Sequence, residues 1–316
     1  MKIYSKSNAG IYKNAIFLLK RDFLKRLKKG IFLSGRPKFQ IKNTFVSNFR
    51  DMRKYLFILV ALAAACSPSK RTQSTTSSSI VIDGKLWASV YQQKAAEYKA
   101  LCYQAYNIAQ LRLDQSLQAA GKPKAVVTDI DETFLDNSPY AAKQSLNARD
   151  YEAATWSEWT SLGQADTLAG ALGFFKYAAS KNVEVFYITN REEKERAGTL
   201  KNLQQFGFPF ADDAHLIMRQ PGSSSSKESR RQTVLQTHDI ILLLGDNLGD
   251  FSVLFDKKSL DERNTNTFIS AQEFGKRFIV LPNPSYGDWE GALYNYNYKL
   301  SPAQKDSVVR ANVKGF

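Results

Sequence analysis

The run Ala125-Val126-Val127-Thr128-Asp129-Ile130-Asp131-Glu132-Thr133 sets an apolar, β-branched stretch directly against three acids and a threonine. Consecutive apolar residues without alternation suit a strand buried on both faces, as in parallel sheets. Two further runs behave alike. Residues 183–188 lead into Thr189-Asn190-Arg191, and residues 240–244 lead into Gly245-Asp246-Asn247-Leu248-Gly249-Asp250. Residues 215–218 and 278–281 read as a fourth and a fifth strand. Helical periodicity occupies 166–180, 192–205 and 227–236 between them, so the expected class is α/β, a parallel sheet flanked by helices with right-handed crossovers. Upstream, Leu86, Val90, Tyr91, Ala95, Tyr98, Leu101, Tyr106, Ile108, Leu111 and Leu117 recur at three- and four-residue steps. They predict a helical segment over 84–120, stopped by Gly121-Lys122-Pro123. Cys102 within it has no histidine or basic cluster nearby and reads as a small buried residue.

Sites in such sheets lie at the carboxyl ends of the strands. There, Asp129, Asp131, Glu132, Asp246 and Asp250 would crowd one edge. Carboxylates packed together repel and raise one another's pKa values, and a hard divalent cation with oxygen ligands, Mg²⁺ for preference, resolves the conflict. One aspartate after a strand is often only a helix cap. Three such strand ends together with the Asp-x-Asp-x-Thr pattern point to a metal-assisted site.

Charge narrows the class further. The chain has 316 residues and a formal charge of +14, which suggests a nucleic-acid partner until its distribution is examined. Residues 1–51 carry 13 Lys/Arg and only Asp22 and Asp51 as acids, so they hold most of the excess. They read as an upstream extension. From Met52, a basic pair (Arg53, Lys54), a short apolar stretch and Leu62-Ala63-Ala64-Ala65-Cys66 form a lipoprotein signal peptide over 52–65, with Cys66 the lipidated residue. The Ser/Thr-rich segment 66–80 reads as a polar tether. The exported remainder, with its domain at 81–316, is nearly neutral, and no nucleic-acid partner is expected.

Asp129-x-Asp131-x-Thr133, Thr189, Lys227 and Gly245-Asp246-x-x-x-Asp250 resemble the four motifs of the haloacid dehalogenase (HAD) superfamily of phosphohydrolases. The string from Asp129 to Tyr140, together with Tyr187-Ile-Thr-Asn-Arg191 and Pro284-Ser-Tyr-Gly-Asp-Trp-Glu-Gly291, is similar to the class C acid phosphatases, the outer-membrane lipoprotein 5′-nucleotidases (lipoprotein e). The resemblance implies a HAD-like Rossmannoid sheet with a smaller helical cap, including an aromatic insertion near 140–165. It implies Asp129 as nucleophile, Asp131 as general acid and base, and Thr189 and Lys227 as phosphoryl contacts. Mg²⁺ would be held by Asp129, the Asp131 carbonyl and Asp246, with Asp250 one step behind them. Trp156 and Tyr286 match the aromatic pair that holds a nucleotide base. The implied activity is hydrolysis of 5′-nucleotides, including nicotinamide mononucleotide, at the bacterial outer membrane for salvage, by a lipid-anchored protein and homodimer. Gly249 departs from the family, which often carries an acid there; metal binding is expected to survive. Two other readings stand beside this one: a haem- or nucleotide-binding lipoprotein without turnover, with His215 or His238 as ligand, and a HAD phosphatase for another small phosphomonoester.

Overall fold

Each apolar run becomes a strand because helices cover both of its faces. Val126, Val185, Tyr187, Leu242 and Leu244 pack into one core with Tyr106, Leu113, Phe134, Phe175 and Phe208. Ala125, Val127, Phe186, Ile188 and Leu243 face the other way, onto Val234, Phe251 and Phe278. The computed structural model describes residues 79–316. The expected extension, the signal peptide, Cys66 and nearly all of the tether lie outside that range.

The elements run α1 (Ile80–Lys94), α2 (Ala96–Ser116), β1 (Lys124–Thr128), β2 (Leu135–Asp136), α3 (Ser138–Leu146), α4 (Ala153–Leu162), β3 (Asp166–Thr167), α5 (Ala171–Ser180) and β4 (Glu184–Glu192). They continue as α6 (Arg196–Phe206), β5 (Leu216–Arg219), α7 (Glu228–Thr237), β6 (Asp239–Gly245), α8 (Leu260–Ile269), β7 (Phe278–Val280), α9 (Asp288–Leu293) and α10 (Pro302–Asn312). The main sheet has five strands in the order β5-β4-β1-β6-β7, and all its pairings are parallel. This is the expected α/β class, with all five expected strands present. Among the described residues no helix is long and apolar enough to cross a membrane.

Strand β1 lies at the centre, and its register fixes the site. Thr128 stands opposite Tyr187 of β4 and Leu244 of β6. The next amide, Asp129 N–H, donates to Leu244 O at 3.0 Å. Neighbouring strands lie only about 4.8 Å apart, so Asp129 and the residues just past Leu244 must emerge side by side.

Several elements differ from the sequence expectation: the strand expected over 183–188 runs on to Glu192, so Thr189, Asn190 and Arg191 lie within it, and the helix expected from 192 begins at Arg196. The 84–120 segment is two helices, broken where Ala95 turns to extended backbone (φ −75°, ψ 129°). Ala95 packs against the small cluster of Tyr98, Cys102 and Leu168; no glycine or proline marks the break. The helix expected from 166 begins only at Ala171, because Asp166–Thr167 pairs antiparallel with Leu135–Asp136. A two-residue ribbon is too short to show a period. The helical start is also earlier than expected, since Ser79 caps α1 and Asp306 of α10 accepts from Ser79 Oγ (2.8 Å) and from the Ile80 and Val81 amides (both 3.2 Å). A carboxylate at a helix N-terminus satisfies otherwise unpaired N–H groups and meets the positive end of the dipole.

Asp150 ties the same helices to the loop after α3. It accepts from Lys85 at 2.8 Å and Lys305 at 2.6 Å. Burial opposes its charge, but the two lysines outweigh burial and hold the carboxyl down at about 2. The stability this contributes is present above the unfolded value of about 3.9 and is lost as pH falls through about 2. Discounted for solvent screening, it is about 1–2 kcal/mol. Asp150→Asn is therefore expected to melt roughly 3–5 °C lower than the parent at pH 6, with the gap closing toward pH 2. A gap that persists undiminished at the lowest pH would show that the ion pairs are not its source.

Candidate active site

Four segments converge at the carboxyl end of the sheet: the loop after Thr128, the second half of β4 at Thr189, Lys227 just before α7 and the loop after Gly245. Asp129, Asp246 and Asp250 each place a carboxylate oxygen within 4.8 Å of the other two. Thr133 Oγ1 bridges the first two, donating to Asp129 Oδ2 at 3.3 Å or Asp246 Oδ1 at 3.4 Å. Asn283 Nδ2 donates to the other Asp246 oxygen at 2.7 Å. Lys227 sits against Asp129 and lies 2.7 Å from Asp250 Oδ1. Asp129, Asp250 and Lys227 are buried, and Asp246 is half-buried.

The charges do not balance. Burial pushes the Asp129 and Asp246 carboxyls upward, and mutual repulsion with Asp250 adds to it, although Lys227 pulls Asp129 the other way. For Lys227, burial works against the charge, but Asp129 and Asp250 more than offset it, so the amine stays protonated. One ammonium faces three carboxylates, and the deficit is two positive charges. The donors are all hard oxygens, which fits a divalent cation of the Mg²⁺ type.

Local geometry depends on Gly245. A Cβ there would lie 2.3 Å from Asp250 Oδ2 and 2.5 Å from Asp250 Cβ. Asp250 uses that space to accept the Asn247 amide at 3.0 Å, closing the turn after β6. Arg231 supports the turn from α7, donating to Gly249 O at 3.0 Å and Asp250 O at 2.8 Å.

Asp131 is not among the three converging carboxylates. Its side chain pairs with Arg191, 2.7 Å from Nη2 to Oδ1, with Nε contacting both oxygens at 3.1 and 3.2 Å. Asn137 Nδ2 adds a bond at 2.9 Å. Arg191 is itself buried, donates to Thr199 at 2.9 Å and lies 5.8 Å from the Trp156 ring centre. Thr189 is fully buried, and its hydroxyl accepts the Arg191 amide at 3.1 Å.

Trp156 and Tyr286 are both half-buried at this end of the sheet, and each has its own anchor. Trp156 meets Tyr140 edge-on at 5.1 Å. Tyr286 donates its hydroxyl to Glu132. Glu132 adopts a left-handed backbone (φ 55°), uncommon for a residue with a side chain. Burial, then the Asp131 charge beside it, pushes its carboxyl up to about 8. Its other oxygen accepts the Asn137 amide at 2.9 Å, and Asn137 Oδ1 accepts Trp159 Nε1 at 2.7 Å. A polar chain thus runs from Tyr286 through Glu132 and Asn137 to Asp131, with Trp159 joined to it at Asn137. Arg191, Asn137, Arg231 and Asn283 escape sequence reasoning because single polar residues carry no periodicity or spacing of their own.

Both histidines lie at the opposite, amino end of the sheet. His215 and His238 share Glu184, the first residue of β4, at 3.1 and 3.3 Å. Their remaining nitrogens contact Asp212 and Thr237, both at 2.8 Å. Cys102 is fully buried, and burial pushes its thiol up to about 11, as an inert core cysteine requires.

Comparison with known proteins agrees with this geometry. The model of HAD superfamily subfamily IIIB (acid phosphatase) matches residues 61–289. The chain belongs to that family. Two solved structures of a class C acid phosphatase from Bacillus anthracis, one with tungstate bound, superpose with a TM-score of 0.72 at 44% identity. They cover 74% and 75% of this chain and 98% and 99% of their own. Acid phosphatase 1 of Solanum lycopersicum and the stem 31 kDa glycoprotein of Glycine max are each 28% identical, over 166 and 163 residues. Those matches cover 51% and 50% of this chain, and the chain spans 57% of the length of each plant protein.

Gly245→Ala should displace Asp250 and loosen its grip on Lys227. Overpacking of this kind costs about 1–3 kcal/mol, and misplacement near a reacting centre lowers turnover by roughly 10- to 100-fold. Melting temperature and turnover of a phosphomonoester measure the two effects. Parent-like turnover would show that the Gly245–Asp250 contact does not position the site.

Proposed function

We propose that the chain hydrolyses 5′-nucleotides and similar small phosphomonoesters through an aspartyl-phosphate on Asp129. The observation that carries this reading is a buried nucleophile-type carboxylate at the end of the central strand, held against Lys227 and flanked by Asp246 and Asp250. Asp129 attacks phosphorus in line, forming an Oδ–P bond as the bond to the ester oxygen breaks. Asp131, two residues on, gives the leaving oxygen its proton, for which it must first leave its ion pair with Arg191 and take up that proton. It then takes a proton from the water that attacks phosphorus and frees Asp129. Lys227 and the Thr189 hydroxyl stabilise the phosphoryl oxygens as charge develops. Asp129, Asp246 and the Asp131 carbonyl would hold Mg²⁺, with Asp250 behind them, and the ion would supply the positive charge that lets the carboxylates and a phosphate dianion share the site.

The nucleoside part fits between Trp156 and Tyr286. Stacking on aromatic rings is tolerant of base identity, so several nucleoside monophosphates, and nicotinamide mononucleotide among them, are expected substrates. The Ala65-Cys66 signal supports a lipid anchor at the bacterial outer membrane, and the family resemblance carries the reading of nucleotide salvage by a homodimer. The engagement of all four imidazole nitrogens weighs against haem ligation.

Purified protein assayed on nucleoside monophosphates should release phosphate, and a chelator should abolish release until Mg²⁺ is restored. Asp129→Asn should lose on the order of 10³-fold or more. Full activity in the variant, or in chelator, would contradict the mechanism. Turnover of other phosphomonoesters with none on nucleotides would contradict the substrate class alone.

A further inference from the structure

The first turn of α7 and the residue before it bring three cations to the site, and their partners differ. Lys227 is paired with two carboxylates, Asp129 and Asp250. Arg231 pairs with Glu228 at 2.6 Å and gives its other amine to the Gly249 and Asp250 carbonyls. Nearby Arg219 pairs with Glu192 at 2.6 Å, and Arg191 pairs with Asp131. Arg230 is the exception. Its partners are neutral oxygens: Thr189 O at 2.6 Å, Asn190 Oδ1 at 2.7 Å, Ser226 O at 3.1 Å and Ser225 O at 3.4 Å. Among the described residues no carboxylate lies within ion-pair distance of it.

A half-buried guanidinium met only by neutral oxygens is costly to hold, because burial penalises its charge and like charges stand nearby. Burial, with Arg219 and Arg231 adding repulsion, pulls its pKa down to about 10, while Asp129 is close enough to pull the other way. A cation with no carboxylate at ion-pair distance is one that an anionic ligand can pair with. Its location suits that role: its anchor points are the backbone of Thr189, the side chain of Asn190 and the loop before Lys227. These are the two segments expected to touch phosphoryl oxygens. Two of its five N–H groups, on Nε and the second position of Nη1, have no protein partner among the described residues.

We propose that Arg230 is the ground-state phosphate-recognition residue of this site, binding the incoming phosphate dianion through an unpaired N–H group, while Lys227, already against two aspartates, contributes as charge develops in the chemical step. This rests on the phosphomonoester reading above. With Nη2 taken, the free Nε–H and Nη1–H lie on different edges of the guanidinium, so the phosphate accepts from one of them, and the weakly hydrated charge adds to that bond. The contact is made equally to substrate and to released phosphate, so it governs binding more than the chemical step.

The test measures kcat, KM for p-nitrophenyl phosphate and competitive inhibition by inorganic phosphate in the parent, Arg230→Gln and Arg230→Lys. Losing a charged hydrogen bond should raise both KM and the phosphate inhibition constant by roughly 10- to 100-fold, with a much smaller change in kcat. The lysine variant keeps the charge but loses the planar group held by Thr189 and Asn190, so its constants should fall between the other two. If Arg230 only staples the two loops, a folded glutamine variant will keep the parent's phosphate inhibition constant, or kcat will collapse while that constant stays put; either result overturns the proposal. If the glutamine variant does not fold, the lysine variant decides, and parent-like phosphate inhibition in it overturns the proposal as well. A parent protein that releases no phosphate would instead defeat the phosphatase reading itself.

Discussion

Three carboxylates converge at the end of the central strand with one lysine, paired with two of them, and much of the site follows from that imbalance. Asp129, Asp246 and Asp250 converge where water is largely excluded, and Lys227 offsets a single charge. Such a cluster is unfavourable unless a divalent cation occupies it or carboxyls take up protons. The parts around it limit the repulsion without removing it. Thr133 and Asn283 donate to the acids, the Asn247 amide ties Asp250 back, and Gly245 leaves the space in which Asp250 sits. The arrangement trades local stability for a place where a cation and a phosphate dianion are both wanted.

The sheet makes this possible through register. Parallel pairing places Thr128 level with Leu244, so consecutive residues of two strands deliver acids to one point with no long loop to order. Both faces of β1 are covered by apolar side chains, and the strand cannot slip without burying an acid or exposing a valine. The rigid core therefore sets the distances among the acids, while loops and short helices supply the groups that meet substrate. Arg191 joins two of those layers, since it fixes Asp131 and also lies against Trp156.

The α/β class and five strands were legible because buried parallel strands read as uninterrupted apolar runs, and the acids were legible because they follow those runs directly. Lys227 was legible only through motif resemblance; nothing in its neighbours marks it as buried. The break at Ala95 and the ribbon between Leu135–Asp136 and Asp166–Thr167 were not legible, since tertiary packing decides the first and the second is too short for a period. The same holds for Arg191 and Asn137. Their roles lie in which oxygens surround them, and a one-dimensional pattern does not encode that.

The central claim is that the cluster lacks two positive charges and takes up one divalent cation. Calorimetric titration of metal-stripped protein with Mg²⁺ tests it most directly, with Asp246→Asn alongside. One site per chain, much weakened in the variant, is the predicted result. No binding to the parent, or equal binding to both, would contradict it.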